Sequence, residues 1–192
     1  MFTYANIPFK DTRVSFQEWG KIRKDKTRFP YGQMPILMIG DTLIAQSHAI
    51  IRYVAAEANL AGRNKVEAAE IGQLYELCHE LFEPLIPYLR VTLGIWRGDK
   101  KKMYKEVVVP NVQKYAPLIE DHIGANGYVH KSGISYVDFY LADNVMAFQN
   151  YHPDLFDSYP NILALKEKFL QMPELKEYFE SVFDPVKNRS KL

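Results

Sequence analysis

The sequence predicts a small α/β domain over residues 1–60 followed by an all-α domain over residues 65–192. Three observations support this division. Up to about residue 45, apolar residues come in short runs separated by turn signals, which is typical of strands. From residue 66 onward they recur at helical spacing. Between the two parts, Gly62 occupies the usual position of a helix stop.

The first domain is predicted to contain strands, a hairpin and a helix. The run Thr12–Phe16 predicts a strand. The runs Pro35–Ile39 and Thr42–Ile44 flank the pair Gly40-Asp41, and this arrangement predicts a β-hairpin. Helical spacing then begins and continues over residues 47–58, with Ser47 at the N-cap.

The second domain is predicted to be a series of amphipathic helices. Val66–Tyr88 carries a continuous apolar stripe, and Lys101–His122 contains Pro110, where a kink is expected. A third helix opens with a capping box formed by Ser135 and Asp138. Two further helices are predicted over residues 161–171 and 173–182.

Composition excludes several classes of protein. The 192 residues are 47% apolar and 24% charged, as in ordinary globular domains. The net charge of +1 gives no reason to expect nucleic acid or a membrane surface as the main partner. With Cys78 as the single cysteine, a disulfide within the chain is impossible. The sequence contains no apolar stretch long enough for a transmembrane helix, and its first residues do not resemble a signal peptide.

Some reactive residues have ordinary interpretations. The run from His79 to Glu83 begins like a zinc-protease motif but lacks its second histidine, so no metal is expected. Cys78 lies on the apolar stripe of its helix, which predicts a buried, inert thiol. His130 and His152 are predicted to lie at the surface.

Two motifs close together in the chain carry a family resemblance. They are Gly32–Leu37, GQMPIL, and Leu43–Ile50, LIAQSHAI. With Trp19, Asn59–Gly62 and Ser135–Tyr140 in this order, the chain resembles the cytosolic glutathione transferases, and within them the sigma type of invertebrates. The resemblance covers nearly the whole chain. It implies a thioredoxin-like N-terminal domain and an all-α C-terminal helical bundle.

The resemblance also implies how glutathione would bind. A cis bond before Pro35 would turn the backbone of Met34 toward the cysteinyl residue of the ligand, with Gln33 beside the ligand backbone. Ser47, at a helix N-terminus, and Gln46 would receive the γ-glutamyl end. From the residues alone, a plain turn proline at Pro35 and an ordinary N-cap at Ser47 are the preferred interpretations, and the resemblance is what favours the glutathione contacts.

Two further contacts are implied at the ends of the ligand. Trp19 and a base, Arg23, would reach the glycine end, although the neighbouring cations leave open which base does so. The basic cluster comprises Lys21, Arg23, Lys24, Lys26 and Arg28. Glu80 matches the acid that crosses a dimer interface to the ammonium group of glutathione in the family.

The implied activity is conjugation of glutathione to a small hydrophobic electrophile, or isomerisation with glutathione as cofactor. The alternative is a non-catalytic glutathione-binding or crystallin-like structural relative. The family tyrosine that activates the thiol aligns upstream of Met1, so no catalytic residue is assigned. The N-terminal domain is accordingly expected to lack its first strand, and this chain is expected to be catalytically weak.

The expected assembly and location follow the family as well. The chain is expected to form a homodimer in the cytoplasm. The terminal residues Ser190-Lys191-Leu192 match a peroxisomal address, which leaves a peroxisomal location as an alternative to a solvated tail.

Overall fold

A computed structural model describes residues 1–183, which belong to two compact units. One unit spans Gly62–Met172, and the other combines residues 1–61 with the described chain from Pro173 onward. The strands are β1 (Ile36–Ile39) and β2 (Thr42–Ala45). The α-helices are α1 (Phe16–Ile22), α2 (Ser47–Glu57), α3 (Lys65–Phe82), α4 (Ile86–Thr92), α5 (Lys100–Met103), α6 (Val109–His122), α7 (Tyr136–Gln149), α8 (Pro160–Leu170) and α9 (Lys176–Phe183).

This architecture confirms the predicted combination of a small α/β domain and a helical domain. None of the described helices is both long and apolar enough to span a bilayer. The tripeptide Ser190-Lys191-Leu192 lies outside the described residues.

The predicted hairpin is present. Strands β1 and β2 pair antiparallel, with Ile36 opposite Ala45 and Ile39 opposite Thr42. Gly40 in the connecting turn has φ 55°, a left-handed conformation that glycine adopts without steric cost. The turn therefore sets the register, as the sequence indicated.

The predicted strand over Thr12–Phe16 is wrong. Residues 7–15 have no regular secondary structure, and among the described residues the sheet contains only β1 and β2. A strand without a neighbour leaves its backbone groups unpaired. Local interactions favour a helix instead, because Ser15 and Glu18 form a capping box that starts α1 at Phe16.

The residue that terminates helix α2 lies earlier in the chain than predicted. After α2, Asn59 adopts φ 57°, and the Leu60 N–H donates to the Ala55 carbonyl at 2.7 Å. These contacts make Asn59 the left-handed residue that ends the helix. Gly62, with φ 98°, has a different role: a Cβ there would lie 2.8 Å from the Ala68 nitrogen, so only glycine permits this close approach.

The predicted helix Val66–Tyr88 is divided in the structure. Asn64 caps α3 by accepting the N–H groups of Val66 and Glu67 at 3.0 Å. The helix ends at Phe82, and a 3-10 turn over Glu83–Leu85 leads into α4. Pro84 lies within that turn and lacks the N–H that would continue α3.

The predicted kink near Pro110 is confirmed. Between α5 and α6, Tyr104–Val108 forms a π-helical turn. The ring of a helical proline clashes with the carbonyl four residues earlier, and a π-turn is one way in which a helix widens at such a point. The predicted helix Lys101–His122 is therefore present, but interrupted.

Helix α7 begins with the predicted capping box. Asp138 is fully buried and accepts hydrogen bonds from the Ser135 N–H and the Val129 N–H, each at 2.7 Å. Cys78 is also fully buried, and burial raises the pKa of its thiol. The predicted burial of this thiol is confirmed.

His130 is not at the surface as predicted; it is only 5% exposed. Its ring nitrogens lie 3.2 Å from a Glu70 carboxylate oxygen and 2.7 Å from the Ser132 hydroxyl. These partners satisfy the buried ring, which sequence periodicity alone could not show. His152 is half-buried and stacks on Tyr104 with ring centroids 4.0 Å apart.

Candidate functional site

The candidate site begins at the entry to strand β1. The Met34–Pro35 peptide bond is cis, which confirms the expectation from the family resemblance. Met34 is 45% exposed. Within the described part of the chain, no backbone hydrogen bond engages its N–H or its carbonyl. The Met34 backbone is therefore available to pair with an extended, peptide-like ligand.

Gln46, at the start of α2, has an unusual backbone conformation. Its φ is 75° and its ψ is 115°, a region that residues with a side chain rarely adopt. Conformations of this kind are concentrated at functional sites, where the surroundings hold them. The Gln46 side-chain amide donates to the Gln33 amide oxygen at 3.4 Å, so two predicted site residues are in contact.

Ser47 lies one position further into the helix than predicted. The N-cap residue is Gln46, and Ser47 is the first residue of α2. The first backbone hydrogen bond of this helix runs from the Ile50 N–H to the Gln46 carbonyl at 3.0 Å. At such an N-terminus the first N–H groups and the helix dipole favour an anion, and the Ser47 hydroxyl adds a donor.

Trp19 and Arg23 lie on and just after helix α1. The Trp19 ring packs edge-on against the buried Phe29 ring, with centroids 4.9 Å apart. Arg23 caps the end of α1 with its N–H bonded to the Trp19 carbonyl, and its side chain is exposed. Trp19 is therefore held by packing, whereas Arg23 is held through its backbone.

Lys26 is the cation that the structure places next to the GQMPIL motif. A Cβ added at Gly32 would lie 3.5 Å from the Lys26 ammonium nitrogen and 3.4 Å from the Arg23 carbonyl oxygen. The ammonium group therefore borders the residue that precedes Gln33. The sequence named Lys26 only as one member of a basic cluster, because a chain fold is needed to bring it to Gly32.

Glu80 belongs to the other compact unit and is exposed on α3. Its carbonyl accepts a hydrogen bond from the Asn111 side chain at 3.2 Å. A hydrogen bond to the Tyr115 hydroxyl raises the pKa of Lys114, and the charge of the Glu80 carboxylate adds to this. These contacts fix the helix position of Glu80, and its role toward a ligand stays a prediction.

Comparison with known proteins agrees with this geometry. Residues 2–56 match the family model for the glutathione S-transferase N-terminal domain, and residues 91–182 match the model for the C-terminal domain. A probable glutathione S-transferase of Caenorhabditis elegans, gst-36, is 33% identical over 184 residues, which cover 93% of this chain and 86% of that relative.

More distant and structural relatives point the same way. Hematopoietic prostaglandin D synthase of Gallus gallus is 27% identical, covering 94% of this chain and 86% of its own. The crystal structure of monomeric Na-GST-3, a glutathione S-transferase of Necator americanus, superimposes with a TM-score of 0.84 at 31% identity, covering 94% of this chain and 87% of that one. The chain belongs to the glutathione S-transferase family.

Proposed function

We propose that this protein binds glutathione on its smaller unit and transfers it to a small hydrophobic electrophile. The observation that carries the proposal is the junction of β2 and α2, where the strained Gln46 contacts Gln33 beside the helix N-terminus. The γ-glutamyl carboxylate would meet the first turn of α2 and the Ser47 hydroxyl. The Met34 backbone would pair with the cysteinyl residue.

The glycine end of glutathione would lie toward α1. Trp19 supplies a fixed aromatic wall, and a cation there would neutralise the carboxylate. We infer that Lys26 can take this role beside or in place of Arg23, because its ammonium borders Gly32. Glu80 is proposed to contact the ligand ammonium group across a homodimer interface. We also propose that the functional domains comprise residues 1–60 and 65–192.

Binding is tested by retention on immobilised glutathione and by calorimetry. Ser47→Ala removes one hydrogen bond to a charged group, so we expect affinity to fall by about 10-fold to 100-fold. Ser158→Ala, at an exposed turn, is the matched control and should bind like the wild type. Equal affinity of Ser47→Ala and the wild type would contradict the proposed γ-glutamyl site.

The identity of the cation is tested separately. Lys26→Gln and Arg23→Gln are compared for glutathione affinity as salt is raised. Substitution of the residue that reaches the carboxylate should cause the larger loss of glutathione affinity. The affinity of that variant should also depend less on salt concentration than that of the wild type. Equal, small losses for both variants would remove the proposed cation contact.

Catalysis requires that the glutathione thiol ionise, since the thiolate is the nucleophile. We assign no residue of this chain to that step. Turnover of a chlorinated nitrobenzene distinguishes a transferase from a binding-only protein of the crystallin-like kind. Isomerisation is a second candidate activity, favoured by the similarity to prostaglandin D synthase, and is tested by assaying prostaglandin D formation without loss of glutathione.

The remaining proposals concern setting and assembly. We propose a detoxifying enzyme that uses no metal. Its proposed location is the cytoplasm, with the peroxisome as the alternative, and imaging of fluorescent fusions in cells distinguishes these two locations. A homodimer is proposed although the Necator americanus relative is described as monomeric. Sedimentation at micromolar concentration decides between them, because a single species of 22.3 kDa would exclude the dimer.

A further inference from the structure

The loop that joins α4 to α5 carries an exposed apolar tip. Leu93, Ile95 and Trp96 are 51%, 48% and 47% exposed. Single exposed apolar residues are ordinary at protein surfaces. Three large ones within four positions instead concentrate exposed apolar surface on one short loop, and such a concentration commonly marks an interaction surface.

The backbone of this tip is well held. Helix α4 ends at Thr92, and Gly94 follows it in the left-handed conformation with φ 73°. The N–H groups of Ile95 and Trp96 both donate to the Arg90 carbonyl, at 2.9 and 3.1 Å. At the other end of the loop, a Cβ added at Gly98 would lie 2.8 Å from a Val91 methyl carbon. The loop is therefore packed closely against α4, and the exposed side chains project from a fixed base.

Cationic residues flank the tip on both sides in the sequence. The flanking cations are Arg90, Arg97, Lys100, Lys101 and Lys102. Asp99 is the one acid between positions 90 and 105, and its carboxylate caps α5 by accepting the Lys102 N–H at 3.0 Å. Among residues 1–183, one of these five cations forms an ion pair, from Lys102 to Glu106 at 4.0 Å. All five side chains are exposed, so most of this charge faces solvent without an acidic partner.

Arg90 links the charge to the apolar tip. Its guanidinium lies 4.5 Å from the centroid of the Trp96 ring. A cation stacked on an indole keeps its charge while the ring offers an apolar face. Tryptophan beside arginine is well suited to the boundary between lipid headgroups and acyl chains, where an amphipathic ring and a long cationic side chain are both favourable.

We propose that this tip docks on the surface of an anionic lipid bilayer. The three apolar side chains would enter the interfacial region while the flanking cations contact the phosphate and serine headgroups. A nucleic acid would use the cations but would leave Leu93 and Ile95 exposed, whereas a bilayer satisfies both features. The inference is independent of the glutathione site, since every residue in it belongs to the helical unit.

The test uses the full chain and co-sedimentation with two kinds of vesicle. One is phosphatidylcholine alone, and the other contains about 30 mol% phosphatidylserine. We expect binding to the anionic vesicles, weaker binding to the neutral ones, and a loss of binding as salt is raised. Equal partitioning into both kinds of vesicle, or none into either, would overturn the proposal.

Variants separate the apolar contribution from the charge. Trp96→Ser should lower partitioning about tenfold, because interfacial burial of the indole is lost. Leu118→Ser, at a position in α6 that is 47% exposed, is the matched control and should leave partitioning unchanged. Lys100→Gln and Lys101→Gln should each lower it about fivefold, whereas Lys176→Gln should not.

Fluorescence reports which part of the chain meets the lipid. The protein has two tryptophans, Trp19 and Trp96. Anionic vesicles should shift the emission to shorter wavelength in the wild type and in Trp19→Phe, but not in Trp96→Phe. If Trp96→Ser binds vesicles as well as the wild type, or if the protein binds RNA but not vesicles, the tip is only an anion-attracting surface and the proposal is wrong.

Retention on immobilised glutathione serves as the folding control for the tip variants. A tip variant that keeps glutathione binding and loses vesicle binding supports the proposal. If the wild type itself fails to bind glutathione, circular dichroism replaces that control, and the vesicle result stands separately from the proposed transferase function.

Discussion

The two compact units differ in how much apolar surface they bury. In the described part of the smaller unit the buried apolar side chains are Phe29, Val54, Ala55, Leu60 and Leu175. The helical unit buries many more, including the aromatic residues Tyr75, Phe82, Tyr88, Phe148, Phe156 and Phe169. Burial of apolar surface is the main source of folding stability, so the helical unit contributes most of the stability of the fold.

The smaller unit instead holds the candidate site and an unfavourable backbone conformation at Gln46. Binding segments are commonly drawn from the less stable parts of a protein. The contrast between the units indicates that the proposed glutathione site is built where the core contributes least. Stability and ligand binding should therefore respond to different substitutions.

The largest expected effect is in the helical core. Phe82 is fully buried, and its ring packs against those of Tyr140, Phe148 and Phe156 at centroid distances of 6.0 to 6.4 Å. Phe82→Ala should lower the free energy of unfolding by about 3–5 kcal/mol, measured by urea denaturation. Phe16→Ala, at a position that is 66% exposed, should change it by less than about 0.5 kcal/mol. Similar losses of unfolding free energy for both variants would contradict the proposed difference in stability between the two units.

A smaller effect is expected at the start of the helical unit. Gly62→Ala introduces a Cβ at φ 98° and 2.8 Å from the Ala68 nitrogen, so it should lower the free energy of unfolding by more than about 1 kcal/mol. Gly20→Ala, inside α1 with open space around it, should instead raise it by up to about 1 kcal/mol. Thermal and urea denaturation of both variants give the sign directly, and a gain for Gly62→Ala would contradict the packing argument.

Gln46 tests whether strain and binding are linked in the smaller unit. Gln46→Gly removes the cost of the left-handed backbone and should raise the free energy of unfolding by about 1 kcal/mol. The same change removes the contact with Gln33 and should weaken glutathione binding. Gln46→Ala, which keeps the backbone cost, is the control. If both variants have the same stability, the Gln46 backbone is not strained.

The last effect is confined to acid solution. Hydrogen bonds from Ser132 and Arg63 lower the pKa of Glu67 from 4.5 to about 2. Because the folded pKa is depressed, the carboxylate stabilises the folded state above pH 4.5, and that stability is lost as the pH falls toward about 2. The urea midpoint of the wild type should therefore fall across this range relative to that of Glu67→Gln.

Glu57→Gln, at an exposed position in the smaller unit, is the matched control for that series. Its midpoint should follow the wild type across the whole range. A wild-type curve parallel to that of Glu67→Gln would show that the hydrogen bonds to Glu67 do not stabilise the fold.

The sequence predicted the elements that depend on local interactions. The Gly40 turn determined the hairpin, and Ser135 with Asp138 determined the start of α7. Pro110 marked the interruption before α6. In each case the determining residue acts on backbone groups within about four positions, so the signal is present in a short stretch of sequence.

The residues proposed for the candidate site were named by resemblance to a family and not by geometry. The residues Gln33, Gln46 and Ser47 lie together in the smaller unit. The backbone conformation of Gln46 and the position of Lys26 beside Gly32 were not predicted. Neither follows from residue type, because each is imposed by neighbours in space.

Several features were decided only by the tertiary structure. The run Thr12–Phe16 has strand composition, but no described strand lies beside it to pair with its backbone. The capping box of Ser15 and Glu18 therefore determines the local structure, and α1 begins at Phe16. His130 is buried because Glu70, sixty positions away, supplies a partner for its ring. The net charge of +1 does not reveal the cluster of cations that flank Trp96, because a sum over the whole chain carries no information about where the charges lie. Local rules determined where helices and turns begin and end, whereas pairing, burial and local charge depend on contacts between distant residues.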